Sequence, residues 1–261
     1  MQTNVVVRRG LLGVVLLLAA ASLLAAKRPA GSAQQPTQAE MGAIFSDSMI
    51  ASMQGPDAGS RSTHGDKAAK ARAAYARGVQ ALLTGQYAEA EHAARQAIGL
   101  DKNFSDAYAL AATAELSQRK YAQAQTLAQQ AVSTDAISVK ARVILATADN
   151  YLGEYDAAAA ALEPVQDFAS GWWQAAYQRA RAEAGMEHAE AALEWSNRAA
   201  LLAPAGFAPL HLLHASALAA AAHYAQAAGE LAVYLQIEGA QAPQRAMLEE
   251  QLAQLKQMAG D

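Results

Sequence analysis

The sequence predicts an all-α protein built from one internally repeated unit. Two observations carry this. The segments TGQYAEAEHAARQAIGLD (84–101), QRKYAQAQTLAQQAVSTD (118–135) and LGEYDAAAAALEPV (152–165) are variants of one another. The 261 residues are 53% hydrophobic but only 6% aromatic, and alanine dominates the apolar share. Such a mixture suits helices packed at close range rather than a sheet, which draws on β-branched and aromatic residues.

In chain order, the first element is a hydrophobic leader. Arg8 and Arg9 precede an uncharged run, Leu11 to Ala26, and Gly31-Ser32-Ala33 offers small residues at the −3 and −1 positions of a cleavage after Ala33. Residues 1–33 therefore read as an export signal, with cleavage after Ala26 as a second option. The alternative is an uncleaved anchor of residues 11–26 in the inner membrane. A helix of that run spans about 24 Å, short of a ~30 Å hydrocarbon core. Lys27 and Arg28 behind it keep the anchor in play. The expected localisation is periplasmic or secreted, with membrane contact only through this segment if it stays attached.

Residues 34–66 are rich in Gln, Ser, Gly and Asp and read as a flexible linker. Inside it, MGAIFSDSMIASM (41–53) carries Ile44, Phe45, Met49 and Ile50, either as sticky residues on a tether or as a short docking segment.

The repeat follows. Tyr87, Tyr121 and Tyr155 are 34 apart; Ala189 holds the next equivalent place and Tyr224 the one after. Three residues beyond each stands Ala90, Ala124, Ala158, Ala192 or Ala227, and nine residues before each stands Gly78, Ala112, Ala146, Ala180 or Ala215. A further small position holds Ala97, Ala131 and Ala199, with Val165 and Tyr234 as departures. This register resembles the tetratricopeptide-repeat family over about 71–241. The resemblance implies two antiparallel helices per repeat, about five repeats stacked as a solenoid over 67–241, and small residues where helices touch. Gly85 and Gly153 suit the turn inside a pair. Residues 242–261 read as a C-terminal capping helix: Pro243 suits its start, and Met247, Leu248, Leu252, Leu255 and Met258 form one apolar stripe. Pro164 falls inside a second helix and predicts an early end or a kink, with Phe168, Trp172 and Trp173 close behind to fill the space.

The resemblance also implies a function. Such solenoids hold a protein segment along the concave face of their first helices. By register that face includes Tyr75, Val79, Leu116, Val143, Asn150, Tyr177 and Arg181, which form the expected contact set, with Ala109, Thr113 and Thr147 beside them. The Lys, Asn and Arg clamp of the chaperone-adaptor members is matched only at Lys140, so that subtype is rejected. Acids recur at Glu115, Asp149 and Glu183; partial exposure or pairing with Arg142, Arg179 or Arg181 is expected.

Composition narrows the class further. The formal charge is −4, and loss of residues 1–33 leaves 16 basic against 24 acidic residues, a net −8. An acidic body without a Lys/Arg cluster argues against nucleic acid as a partner. There is no cysteine, hence no disulfide, thiolate metal site or thiol nucleophile. His211 and His214 lie one turn apart without a third ligand at local spacing, and no nucleophile or phosphate-loop motif occurs. The expectation is a non-catalytic scaffold without metal or cofactor, whose partner is a protein or peptide. The alternative is an accessory subunit of an envelope enzyme, or an enzyme with an unrecognised site on the solenoid.

Overall fold

The computed structural model describes residues 65–167, 171–242 and 244–260. The leader, segment 41–53, Phe168 and Pro243 lie outside the described residues. Those described form α1 (Gly65–Leu83), α2 (Tyr87–Leu100), α3 (Ser105–Ser117), α4 (Tyr121–Thr134), α5 (Val139–Leu152), α6 (Tyr155–Leu162), α7 (Trp173–Gly185), α8 (Ala189–Ala200), α9 (Ala208–Ala220), α10 (Tyr224–Glu238) and α11 (Arg245–Ala259). Among the described residues there is no strand, and no helix is long and apolar enough to cross a membrane.

Two compact units divide inside α7, after Arg179. In the first, each helix from α1 to α6 packs on the next, and the first helices α1, α3 and α5 also touch in sequence. Small residues make this possible. Gly78 has no room for a side chain: a Cβ there would stand 2.8 Å from Leu110 Cδ2 and 3.2 Å from the Ala90 carbonyl oxygen. Ala112, Ala146, Ala90, Ala124, Ala158, Ala97 and Ala131 are all fully buried, and Val165 fills the same place as the last two. Tyr87, Tyr121 and Tyr155 are half-buried; the Tyr121 ring stacks on Tyr151 at 5.0 Å and its hydroxyl is buried rather than at the rim. In the second unit α8, α9, α10 and α11 pack in order. Leu248 and Leu255 of α11 join Ala215, Ala227, Leu231 and Tyr234 in one core, so the last helix covers the apolar side of α10 as a cap must.

Every helix pair closes with the same elbow. A residue in the left-handed region stands at Gly85, Arg119, Gly153, Glu187 and Ala222, with φ between 62° and 78°. At each elbow the following N–H reaches back to a carbonyl five residues earlier: Gln86 to Ala81, Lys120 to Glu115, Glu154 to Asp149, His188 to Glu183 and His223 to Leu218, all at 2.8–2.9 Å. This is the Schellman closure of a helix, which caps carbonyls left over by the last turn. Glycine marks only two of the five elbows. The other three accept the strain of a Cβ in the left-handed region, roughly 1–2 kcal/mol each.

Pro164 acts as its chemistry requires. α6 stops at Leu162 after eight residues and gives way to a 3-10 turn, Glu163–Val165. Val165 and Trp173 are buried beyond the break, and the Trp173 ring lies 6.3 Å from that of Tyr177.

Candidate functional site

The first and second helices are buried in different ways. α2 and α4 each bury four of fourteen residues, one stripe apiece. α3 buries ten of thirteen and α5 ten of fourteen. At 100° per residue, ten buried positions run round the whole helix rather than along a stripe. Neighbouring second helices lie on one side of a first helix and other first helices lie beside it; the face left over is the inner one. Ala109, Thr113 and Leu116 of α3, and Val143, Thr147 and Asn150 of α5, belong to that face by register. None is more than 4% exposed.

The expected contact set is therefore not open to solvent. Tyr75, Val79, Leu116, Val143, Asn150 and Tyr177 are all buried, and Arg181 alone is half-exposed. The Tyr75 ring packs at 5.0 Å, tilted by 41°, on Phe104, which opens the next repeat, and burial raises its phenol pKa above the ordinary value. Tyr177 packs on Trp173. The first six residues lie in the first unit and Arg181 in the second.

One place on this face has unspent hydrogen-bonding capacity. Asn150 Nδ2 donates to the backbone carbonyl of Gln178 and to Gln178 Oε1, both at 2.9 Å. That leaves Asn150 Oδ1 and Gln178 Nε2, an acceptor and a donor, buried without hydrogen-bond partners among the described residues. Both residues are at most 4% exposed. An orphaned buried polar atom costs about 1–3 kcal/mol, so this pair is an expensive feature of the face. Lys140, the lone match to the clamp pattern, is buried and paired with Asp106 at 2.5 Å, which takes it out of ligand binding.

The three recurring acids are corrected by the elbow geometry. Glu115, Asp149 and Glu183 are buried rather than partly exposed, and each supplies the carbonyl that the Schellman bond reaches. Their side chains meet partners beyond the same turn or on the second helix before it. Glu115 pairs with Lys120 at 3.1 Å and Arg95 at 3.0 Å. Asp149 accepts from Gln125 at 2.7 Å, and Glu183 meets His188 at 2.9 Å. Arg142, an expected partner, spends its guanidinium on the Ala136 and Ala161 carbonyls, and Arg179 donates to that of Ala159. Here Arg142 and Arg179 close helix ends.

A carboxylate is brought to the His211–His214 pair by α10: Glu230 lies 2.7 Å from His211 and 3.6 Å from His214. Local spacing could not reveal it, since Glu230 is 16 residues further on. Burial lowers the His214 pKa, opposed by Glu230. No group of three residues among those described is arranged to hold a metal ion.

No family model matches the chain, and no curated protein does. Solved structures do. MamA of Desulfovibrio magneticus RS-1 matches with a TM-score of 0.56 at 20% identity, over 69% of this chain and 99% of that one. PilF of Pseudomonas aeruginosa matches with 0.61 at 17%, over 74% and 87%. YrrB, a tetratricopeptide-repeat protein with an unusual peptide-binding site, matches with 0.53 at 15%, over 68% and 90%. Likeness at this identity speaks for the fold, and it agrees with the small-residue register and the elbow repeated every 34 or 35 residues: the chain has the tetratricopeptide-repeat fold.

Proposed function

We propose that the chain is an exported, non-catalytic scaffold that holds a protein segment along the inner face of α1, α3, α5 and the start of α7. The observation that carries this is the Asn150–Gln178 pair, which leaves one acceptor and one donor buried without hydrogen-bond partners among the described residues, on an otherwise apolar and hydroxyl-bearing face. One residue of an extended segment can satisfy both, its N–H donating to Asn150 Oδ1 and its C=O, which points the same way, accepting from Gln178 Nε2. Nucleic acid is disfavoured, because the face lacks the density of free Lys and Arg that phosphates require. YrrB, of the same fold, is a peptide binder, which supports the class of partner but not its identity.

The test is capture of the partner from a native extract, followed by titration against the Asn150→Ala/Gln178→Ala variant. An affinity at least tenfold weaker, with helicity retained, is expected. Unchanged affinity would place the binding surface elsewhere. Export is read separately, by N-terminal sequencing of the mature chain. A start at Gln34 is expected; an intact Met1 on a soluble cytoplasmic product would refute export, and an intact Met1 in membranes would favour the anchor.

A further inference from the structure

We propose that two copies of this chain associate, the groove between α1 and α2 of one copy receiving the outward face of α6 of the other. This surface is separate from the inner face, and the association goes beyond the binding of a partner there.

Equivalent places in the repeat locate the groove. Lys70, Ala73 and Arg77 of α1 are exposed. Phe104, Ala107 and Ala111, each 34 residues further on, have no exposed surface. At that later junction the preceding helix, α2, packs on α3. No helix precedes α1 among the described residues. The three exposed positions therefore lie where the fold elsewhere seats a helix. With Gly99 and Leu100 of α2 they line a groove of about 480 Å³. Lys70, Ala73 and Arg77 fall on one stripe of α1, the two cations two turns and about 10 Å apart with alanine between them. Arg77 donates to Gln96 at 3.0 Å and has no carboxylate partner among the described residues. Lys70 meets Asp66 at 3.7 Å, with both side chains largely in solvent.

α6 carries the complementary pattern. Asp156, Ala160 and Glu163 are exposed on one stripe, with Glu163 in the 3-10 turn that Pro164 imposes. Six residues of α rise and one of 3-10 rise set the two acids about 11 Å apart. Neither acid makes an ion pair or a side-chain hydrogen bond among the described residues. The offsets also agree. Counted from Lys70, the stripe of α1 falls at 0, 3 and 7; counted backwards from Glu163, that of α6 falls at 0, 3 and 7. Antiparallel docking thus sets Lys70 on Glu163, Ala73 on Ala160 and Arg77 on Asp156.

The wider charge favours the same pairing. Residues 65–83 hold four bases and one acid, and residues 153–167 hold four acids and no base. Two net acidic bodies repel unless opposed patches bring them together. Every copy carries both faces. Used reciprocally, the contact closes a dimer; used once at each end, it extends a row of copies.

Sedimentation velocity of the full chain tests this. The wild type should self-associate. Its dissociation constant should rise at least tenfold from about 0.1 M to about 1 M salt, as the Debye length falls from about 10 to about 3 Å. Lys70→Glu/Arg77→Glu and Asp156→Lys/Glu163→Lys should each weaken association at least tenfold. Mixing these two variants should recover it, since each supplies the charge the other has lost. Single reversals read the register: Lys70→Glu should be rescued by Glu163→Lys and not by Asp156→Lys. All four side chains are exposed, so circular dichroism should not change. Should a reversal lower helicity, the neutral pair Lys70→Gln/Arg77→Gln reads the same contact. A monomeric wild type, association that survives both reversals as contact through the run 11–26 would, or a mixture that fails to recover overturns the proposal. Rescue of Lys70→Glu by Asp156→Lys alone overturns the antiparallel pairing.

Discussion

The elbow joining α3 to α4 and the elbow joining α5 to α6 share one backbone and carry opposite electrostatics. In both, a residue in the left-handed region, Arg119 or Gly153, lets the next N–H cap the carbonyl of a buried acid. At the first, Glu115 is held by Arg95 and Lys120, and both cations also reach Glu91. Burial pushes the Glu91 carboxyl up, but hydrogen bonds from Gln118, Arg95 and Lys120 win and bring it down to about 2. At the second, the places of Glu91 and Lys120 are taken by Gln125 and Glu154. Gln125 donates to both Asp149 and Glu154, at 2.7 and 2.6 Å, but supplies no positive charge. Burial, with Glu154 adding to it, carries the Asp149 carboxyl up to about 6. The elbow has the same backbone in both places but different neighbours: Arg95 and Lys120 stand around Glu115, whereas Gln129 and Glu154 hold the equivalent positions near Asp149 and leave its burial without a cation to offset it.

Breaking the first elbow should have the largest effect. Glu115→Ala is expected to cost about 2–3 kcal/mol, since it removes a buried ion that organises two cations. Urea unfolding at neutral pH measures it. A loss below about 0.5 kcal/mol would mean that Arg95 and Lys120 contribute nothing through this acid.

The second elbow should respond in the other direction. The Asp149 pKa is raised on folding, so its favourable contribution is complete below the ordinary value near 4 and is lost as pH rises through about 6. Asp149→Asn should therefore stabilise the protein at pH 7.5, by on the order of 1–2 kcal/mol. It should also remove a rise in melting temperature on going from pH 7 to pH 5. Glu91 acts in the opposite sense, its contribution fading as pH falls from about 4.5 towards 2. Melting curves of wild type and variant across pH 4–8 decide the matter; parallel curves would remove Asp149 as the source.

The smallest effect concerns the shared backbone. Arg119→Gly relieves the left-handed strain and should gain about 0.5–1 kcal/mol, while Gly153→Ala should lose about 1 kcal/mol. Equal and negligible changes at both would show that the elbows are not strained.

These elbows also show where reading the sequence stops. The recurrence of Tyr87, Ala90 and Gly78 exposed the period and the helix contacts, because packing at close range admits only small residues there. Gly85 and Gly153 exposed two turns. Arg119, Glu187 and Ala222 hid the other three, since nothing in those residue types signals a left-handed backbone. Glu115, Asp149 and Glu183 recur every 34 residues in the sequence, but that recurrence does not show that they are buried or that Lys120 and Arg95, Gln125 and His188 meet them from beyond the turn or from the helix before it. For Tyr75, Val143 and Asn150 the spacing gives a place in the repeat, but spacing carries no information about the burial found there.

The alanine contacts have a thermal consequence. Positions such as Ala112, Ala146, Ala90 and Ala124 are wholly buried, yet each removes little apolar surface from water and loses no side-chain rotamers on folding. Heat-capacity change on unfolding follows the apolar area exposed, about 12–15 cal/mol/K per residue in ordinary domains. A core in which so many alanines stand among Phe104, Leu110, Ile144 and Leu231 falls at the low end of that range. The stability of this protein should accordingly change slowly with temperature, with a flat maximum and a resistance to cold that a core of leucine and phenylalanine would not confer.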